Sequence, residues 1–351
     1  MTAVLPLPGT AAGAPAAGEG VWHAAWRRFK ADRVGLGSAL VVLAFMVLVL
    51  LSALGLVASH WQDEVAVPDA PPTFMGPAPP RPADAIAEPR GPNVDLSAVD
   101  PLAPVYKAWA ERAKQYATVQ TVKQTTRPFG ADRLGRDILA KTIKGTQISV
   151  FVGLAAAVTA SAIGVLLGAL GGFFGGKVGD ALEWVYNVFT SIPDILLIFA
   201  FAAVAGRGVT SVVVILGLSG WTGMYRQVRA EFIRHSAREY VRAAEAIGAS
   251  SASRMFRHIL PNVSHVVLVR MSLLTVGFIK AEVILSYLGL GVRVDQVSWG
   301  TMLAEAQSEL ILGHWWQLAS ATLFMAVFVT AFSLMTDALR DALDPKLRGL
   351  E

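Results

Sequence analysis

Long apolar runs, separated by shorter polar segments, set the pattern of this chain. A helix needs about 20 mainly apolar residues to cross the hydrocarbon core of a bilayer. Six runs come close to that length: residues 34–58, 148–174, 185–205, 208–225, 263–290 and 315–335. The pattern therefore predicts an all-α membrane protein with six transmembrane helices.

Composition supports this class. The 351-residue chain is 54% hydrophobic and only 16% charged, whereas an ordinary soluble domain carries about 25% charged residues. The absence of cysteine excludes a disulfide framework and thiolate chemistry. The chain also lacks the HExxH and nucleophile-elbow motifs, so it offers no candidate catalytic or metal-binding residue.

Basic residues near the ends of the runs predict the orientation. Arg27, Arg28, Lys30 and Arg33 precede the first run and place the N-terminus in the cytoplasm. The six crossings then place the loop at residues 226–261 in the cytoplasm, where its seven Arg against three Glu agree with that side. The tail at residues 337–351 falls on the same side.

The segments outside the core differ in composition. Residues 1–20 are rich in Ala, Gly and Pro and predict a disordered tail. Residues 21–33 have Trp and Phe opposite basic residues at helical spacing, which predicts a helix lying on the cytoplasmic membrane surface. Residues 59–146 form a Pro-rich external loop with an amphipathic helix at residues 104–120. Residues 147–336 form the core, with five transmembrane helices.

The cytoplasmic loop has the chemistry of two helices joined at a glycine. Residues 238–247 are rich in Ala and long side chains and predict a helix. Gly248 can end this helix in the left-handed conformation, and Ser250 or Ser251 can cap a second one. Pro261 is tolerated at a helix start and marks the beginning of the fifth span. The residues alone leave open whether this is only a solvated, Arg-rich connector.

Two further sets of polar residues are candidates for function. The external segment RPFGADRLGRD predicts a turn in which Gly135 supplies backbone freedom and Arg136 pairs with a carboxylate; the alternative is substrate contact. Charges within spans are costly and need a reason. Asp194 follows Pro193 and, like Ser191, could cap a restarting helix; the alternative is that it faces a conduit. Lys280 and Glu282 are two residues apart and point to different faces of a helix.

One apparent nucleotide site is excluded. Residues 171–177, GGFFGGK, fit the first seven positions of a phosphate-binding P-loop. The next residue is Val178 rather than the Ser or Thr that would hold Mg²⁺, and the segment follows a membrane helix rather than a strand. These residues predict a tight cytoplasmic turn.

The cytoplasmic loop resembles the EAA loop of the membrane subunits of bacterial ATP-binding-cassette (ABC) importers. Its pattern is Glu-Ala-Ala, three residues, Gly, nine residues, Ile, one residue, Leu-Pro. Five residues match at the right spacing: Ala243, Ala244, Gly248, Leu260 and Pro261. Arg242 replaces the usual Glu and His258 the usual Ile, which puts any role of the Glu carboxylate in doubt but leaves the helix–Gly–helix geometry intact.

Further motifs narrow the resemblance to the C-type permease subunit of dipeptide/oligopeptide importers. The external segment resembles its Phe-Gly-Thr-Asp-x-x-Gly-Arg-Asp signature, here with Asp132, Gly135, Arg136 and Asp137. The segments SIPDILL, LSYLGLG, SWGTML and DALRDALDPKLRG also match, so the likeness runs from about residue 127 to 349. Glu282 matches a carboxylate that the family often has four residues before the Ser of its Leu-Ser-Phe-Leu-Gly segment, here Ser286.

The resemblance implies a type I importer permease fold in the bacterial inner membrane and a non-catalytic subunit. The expected partners are a second permease, two ATP-binding subunits that hold ATP and Mg²⁺, an external substrate-binding protein and lipid, but no nucleic acid. This chain itself would bind no cofactor. The expected coupling residues are Arg242, Ala243, Ala244, Glu245, Gly248, Leu260 and Pro261, and the candidate path residues are Asp194, Lys280, Glu282 and Ser286.

Two other function classes stay open at this point. An ion-gradient-driven secondary transporter would explain charges within spans, although the inverted repeats often seen in such carriers are not visible here. A membrane scaffold or receptor is permitted by the long external loop, but nothing requires it.

Overall fold

The computed structural model describes residues 21–77, 100–113 and 123–343. The predicted disordered tail at residues 1–20, most of the Pro-rich stretch, the end of the predicted 104–120 helix and residues 344–351 lie outside that part. The described helices are α1 (Val21–Ala31), α2 (Arg33–Ala53), α3 (Ala103–Ala113), α4 (Ile138–Phe174), α5 (Gly176–Thr190), α6 (Asp194–Ala205), α7 (Val209–Ser219), α8 (Thr222–Ser236), α9 (Glu239–Ala246), α10 (Ser251–Ser253), α11 (Leu260–Tyr287), α12 (Trp299–Ile311) and α13 (Trp316–Leu343).

The all-α membrane architecture is confirmed. Within the described ranges, three helices are long and apolar enough to cross a membrane, namely α2, α4 and α13. A fourth span is present if α5 and α6, which meet at an angle of 85°, count as one broken span. The number of six crossings therefore stays a prediction.

The helix α4 forms the centre of the fold and begins earlier than its apolar run. Asp137 caps it by accepting hydrogen bonds from the N–H groups of Leu139 (2.8 Å) and Ala140 (3.3 Å). The external segment therefore ends at residue 137 rather than 146. At 1.5 Å per residue, the 37 residues of α4 extend for about 55 Å, well beyond the bilayer core of about 30 Å.

Glycines spaced four residues apart let α4 and α8 approach closely. A Cβ atom at Gly164 would lie 2.6 Å from the Cβ of Met224, and one at Gly168 would lie 2.8 Å from the carbonyl oxygen of Tyr225. At Gly172 it would lie 2.6 Å from the carbonyl oxygen of Arg229. Such small-residue stripes let membrane helices pack backbone to backbone.

Two predicted spans are divided. The run at 185–205 breaks between α5 and α6, where Pro193 precedes the first residue of α6. Capping of α6 by Asp194 or Ser191 is wrong: α6 has no side-chain cap, Asp194 lies exposed in its first turn, and the Ser191 hydroxyl donates to the carbonyl of Val188 at 2.7 Å. The run at 208–225 divides into α7 and α8 at Gly220, against which the Phe278 ring packs.

The N-terminal helix α1 packs partly against its own chain. Ala25 and Phe29 are buried in a cluster with Ala338 and Leu343 of α13. Trp26 stays 55% exposed and stacks on Phe29. The predicted helix is therefore present, and one of its aromatic residues packs against α13; its position on the membrane surface stays a prediction.

Candidate functional site

The loop at residues 226–261, which is predicted to be cytoplasmic and is called the cytoplasmic loop below, has the predicted helix–Gly–helix geometry. The first helix, α9, ends before Gly248, which has a φ of +84° and whose N–H donates to the carbonyl of Glu245 at 2.9 Å. Ser250 then caps the second helix by accepting from the N–H of Ser253 at 3.3 Å. This second helix does not stop at Pro261. A π-helical turn, Arg254–Ile259, carries it directly into α11, where Pro261 occupies the first turn.

One face of the loop is buried in its own chain. Val241 of α9, with Met255 and Ile259 of the second helix, packs into a cluster that includes Phe232 of α8. Ala244 of α9 is buried as well. The small size of Ala244 thus serves packing within the chain rather than approach of another surface. A displacement of α9 would be transmitted to α8 and α11 through this core.

The opposite face of the loop is exposed. It carries Arg242, Ala243, Glu245 and Gly248, and Ile247 at its centre is 85% exposed. A Cβ atom at Gly248 would meet no described atom within 4 Å, so the turn projects into open space. An exposed isoleucine with small neighbours and flanking charges is the kind of surface that another protein can cover.

Arg254 fastens the loop together, and sequence reasoning missed it. One of its guanidinium nitrogens lies 2.6 Å from a carboxylate oxygen of Glu245, and its guanidinium carbon lies 5.2 Å from the ring centre of Phe173, at the end of α4. The arginine-rich composition of the loop concealed it, because nothing local distinguishes Arg254 from the exposed Arg257.

Glu282 is enclosed within the chain. Its side chain is buried and accepts hydrogen bonds from Ser149 of α4 (2.7 Å) and Ser286 of α11 (2.6 Å). Ser149 also accepts from the N–H of Trp299 at 3.1 Å, which adds α12 to the cluster. Glu282 and Ser286 thus join three helices and do not lie on a surface that a second chain could share.

Lys280 lies on the other side of α11, as predicted. It belongs to an exposed stripe with Leu273, Gly277 and Ile284, which recur at helical spacing. Arg270 lies nearer the cytoplasmic loop, against Gly223, and its Nε atom has no partner among the described residues. The stripe is thus the part of α11 that another permease chain or a solute could contact.

The external signature forms the predicted turn. Asp132 is fully buried and accepts from the N–H groups of Leu134 (2.9 Å) and Arg136 (3.0 Å) and from the Arg136 side chain (2.7 Å). Gly135 has a φ of +80°, and a Cβ atom there would overlap the carbonyl of Ala66. Asp137 pairs with Arg127. These contacts therefore confirm the predicted turn.

This turn anchors a larger buried network that the sequence did not predict. The Lys141 ammonium donates to Asp132 at 2.7 Å, to Gln317 of α13 at 3.1 Å, and to Glu305 of α12. Burial acts to raise the pKa of Asp132, but Lys141 and Arg136 outweigh it and hold that pKa below its ordinary value. The network ties the external segment to three helices.

Glu309 lies beside this network on α12. It is 2% exposed, accepts from the N–H of Arg133 at 3.3 Å, and has a second carboxylate oxygen without a hydrogen-bond partner among the described residues. Burial raises its pKa to about 7. The carboxyl group is therefore poised to take up a proton near neutral pH.

The fold and these clusters define a helical, multi-pass membrane protein with a rigidly mounted loop exposed at one end and a buried ionic network at the other. A family model described as binding-protein-dependent transport system inner membrane component matches residues 164–349. The chain belongs to this family and is a permease component of a transport system, which confirms the resemblance to ABC importer membrane subunits.

Named relatives agree with this assignment. The dipeptide transport system permease protein DppC of Bacillus subtilis is 36% identical over 220 residues, covering 63% of this chain and 69% of that protein. The oligopeptide transport system permease protein OppC of the same organism is 37% identical over 220 residues, covering 63% of this chain and 72% of that protein. DppC of Lactococcus lactis is 29% identical over 322 residues, covering 92% of this chain and 90% of that protein.

A solved structure is also similar. A crystal structure of an amino acid ABC transporter with histidines superposes with a TM-score of 0.43 at 14% identity, covering 58% of this chain and 94% of that one.

Proposed function

We propose that this chain is the C-type permease subunit of an ABC importer of dipeptides or oligopeptides. It pairs with a second permease, encloses the path between them and performs no chemistry. Two separate subunits bind ATP and Mg²⁺, and an external binding protein delivers the solute. The supporting observation is the loop at residues 238–261, with its exposed Ile247 face and its unbroken connection into α11.

The loop supports coupling because it is held at several points. Arg254 ties α9 to the second helix and to the end of α4, and the buried side of the loop packs on α8. An ATPase that binds the exposed side would thus move the loop and the helices packed on it together, rather than a flexible loop alone. ATP and the binding protein can switch the path only if each has different affinities for its two states.

Lys280 is the favoured residue on the path. Its place on the exposed stripe of α11 leaves its ammonium available to a solute that crosses between two permeases. A peptide carries a terminal carboxylate that an ammonium or a guanidinium would attract. Asp194 is exposed at the start of α6 and is the second candidate, whereas Glu282 and Ser286 support the helices.

An uptake assay tests the proposal. Membrane vesicles from a host with and without this chain would be loaded with ATP and supplied with the external binding protein and radiolabelled di- and tetrapeptides. We expect chain-dependent uptake that requires ATP and survives a protonophore. Uptake that survives ATP depletion but collapses with the proton gradient would instead establish an ion-driven carrier. Peptide-independent ATP hydrolysis with no uptake would contradict the peptide class.

A further inference from the structure

A groove runs between α2 and α13 at the end of α2 that is predicted to face the cytoplasm. Its volume is about 560 Å³. Small residues of both helices, including Gly37, Ser38 and Ala331, form its floor, and Arg33 lies at its end. Both helices are long and apolar enough to cross a membrane, so the groove faces the lipid-filled region unless another chain covers it.

Gly37 keeps the groove open. Two residues earlier, a Cβ atom at Gly35 would overlap the Cβ of Ala338, so that glycine is explained by close packing of α2 on α13. A Cβ atom at Gly37 would meet no described atom within 4 Å. Glycine weakens a helix, and at this position no contact within the described chain requires it. The space is thus available to another molecule.

The end of the groove is basic. Arg33 is exposed and has no carboxylate partner among the described residues. The neighbouring Asp32 accepts from the N–H of Val34 at 2.9 Å as the cap of α2. Arg28 and Lys30 lie in the last turn of α1, directly before it. This end therefore suits a phosphate group at the membrane surface.

The length of the groove suits one leaflet. From Arg33 to Val41 the helix advances by about 12 Å, close to half of the hydrocarbon core of about 30 Å. Val327 and Leu334 are exposed along the rim, so an apolar occupant would extend their lipid contact. A molecule with a phosphate at the surface and a hydrocarbon chain below it matches both ends of the groove.

We propose that this groove binds one anionic phospholipid, with its phosphate at Arg33 and an acyl chain along Gly37 and Ala331. The site is separate from the coupling loop and the external network. Lipid binding at this site does not depend on which solute the protein carries.

Native mass spectrometry of the delipidated protein, purified with its partner subunits and titrated with phosphatidylglycerol or phosphatidylcholine, tests this site. We expect one phosphatidylglycerol to bind at least tenfold more tightly than phosphatidylcholine. Arg33→Gln should remove this preference, and Gly37→Leu should weaken binding of both lipids. Ala326→Leu fills the α13 side of the groove and serves if Gly37→Leu does not fold. Arg293→Gln on the opposite side and Val47→Leu on the lipid face of α2 are the matched controls.

Three outcomes would overturn the proposal. The first is equal binding of phosphatidylglycerol by wild type, Arg33→Gln and the groove-filling variants. The second is displacement of the lipid by millimolar inorganic phosphate, which would make Arg33 a free-anion site. The third is binding to the isolated chain but not to the assembled protein, which would make the groove a subunit interface.

Discussion

Arg254 lies over the ring of Phe173 while it pairs with Glu245, so one guanidinium group joins the cytoplasmic loop to the end of α4. Along the same helix, about 48 Å away at 1.5 Å per residue, Lys141 holds the external ionic network. The helix α4 is therefore one unbroken helix that connects the external network to the cytoplasmic loop. This connection provides a physical route by which events at one end could bias the other.

Arg254→Leu should weaken the transmission between the ATP-binding subunits and the transport path. The change removes the ion pair and the ring contact, which frees α9 from α4, while the buried side of the loop still folds. We expect peptide-stimulated ATPase activity and uptake to fall about tenfold with normal membrane insertion, and Arg254→Lys to retain part of both. Arg257→Leu, on the exposed side of the same helix, is the control. Equal activities in the two leucine variants would contradict a fastening role.

Asp132→Asn should destabilise the external network. It leaves the Lys141 ammonium buried beside a neutral amide, and removing one partner of a buried pair costs about 3–5 kcal/mol. Glu305 also contacts Lys141 and should reduce the loss toward the lower value. Thermal unfolding in detergent measures the effect, and Asp295→Asn, in an exposed pair with Arg293, should leave the midpoint unchanged. A similar midpoint for both variants would refute the structural role.

Glu309 should make stability depend on pH. Its pKa is raised from 4.5 to about 7 in the fold, so the folded protein binds more protons than the unfolded chain between these values. Stability from this group is therefore full below pH 4.5 and falls as pH rises through 7, by up to about 3 kcal/mol.

Glu309→Gln should remove this loss. Melting temperatures of wild type and variant should show a constant difference below pH 4.5, diverge as pH rises from 4.5 to 7 because only the wild type loses stability there, and keep the new difference above pH 7. Asp295→Asn, at an exposed carboxylate, is the control for the removal of a carboxylate. A wild-type advantage that grows with pH would show that Glu309 is stabilised in its charged form.

Variants at Lys280 and Ser149 should distinguish a residue that contacts the solute from one that stabilises the fold. Lys280→Gln removes an exposed charge and should raise the KM for peptide uptake several-fold without changing thermal stability. Ser149→Ala removes a hydrogen bond to the buried Glu282 and should lower stability by about 1–3 kcal/mol, with KM unchanged. Uptake kinetics and melting on the same preparations give both readouts. Unchanged uptake by Lys280→Gln would remove it from the path.

The predictions that the structure confirms are those that depend on residues close together in sequence. The left-handed Gly248, the Ser250 cap and the Asp132–Arg136 turn all follow from residues close in sequence, and each agrees with the contacts. The polar clusters could not be predicted in the same way. Lys141 meets Gln317 only because α4 and α13 pack side by side, and hydropathy does not show which neighbour a residue faces.

The divided spans show a second limit of prediction from the sequence. A hydropathy window reads residues 208–225 as one apolar run, but Gly220 lets Phe278 pack against the backbone where α7 gives way to α8. The same limit applies to Glu282: Ser286 lies four residues further along α11, but Ser149, the other serine that donates to its carboxylate, comes from α4.

The most direct test of the coupling loop is co-purification from gently solubilised membranes. Gly248→Trp places a bulky side chain in the open space of the turn, and at a φ of +84° it also strains the backbone. Gly248→Asn tolerates that backbone conformation and keeps the turn small, so it separates strain from obstruction. We predict that wild type and Gly248→Asn recover a second permease and ATP-binding subunits, whereas Gly248→Trp loses the ATP-binding subunits alone. Full recovery of these subunits with Gly248→Trp would contradict the account.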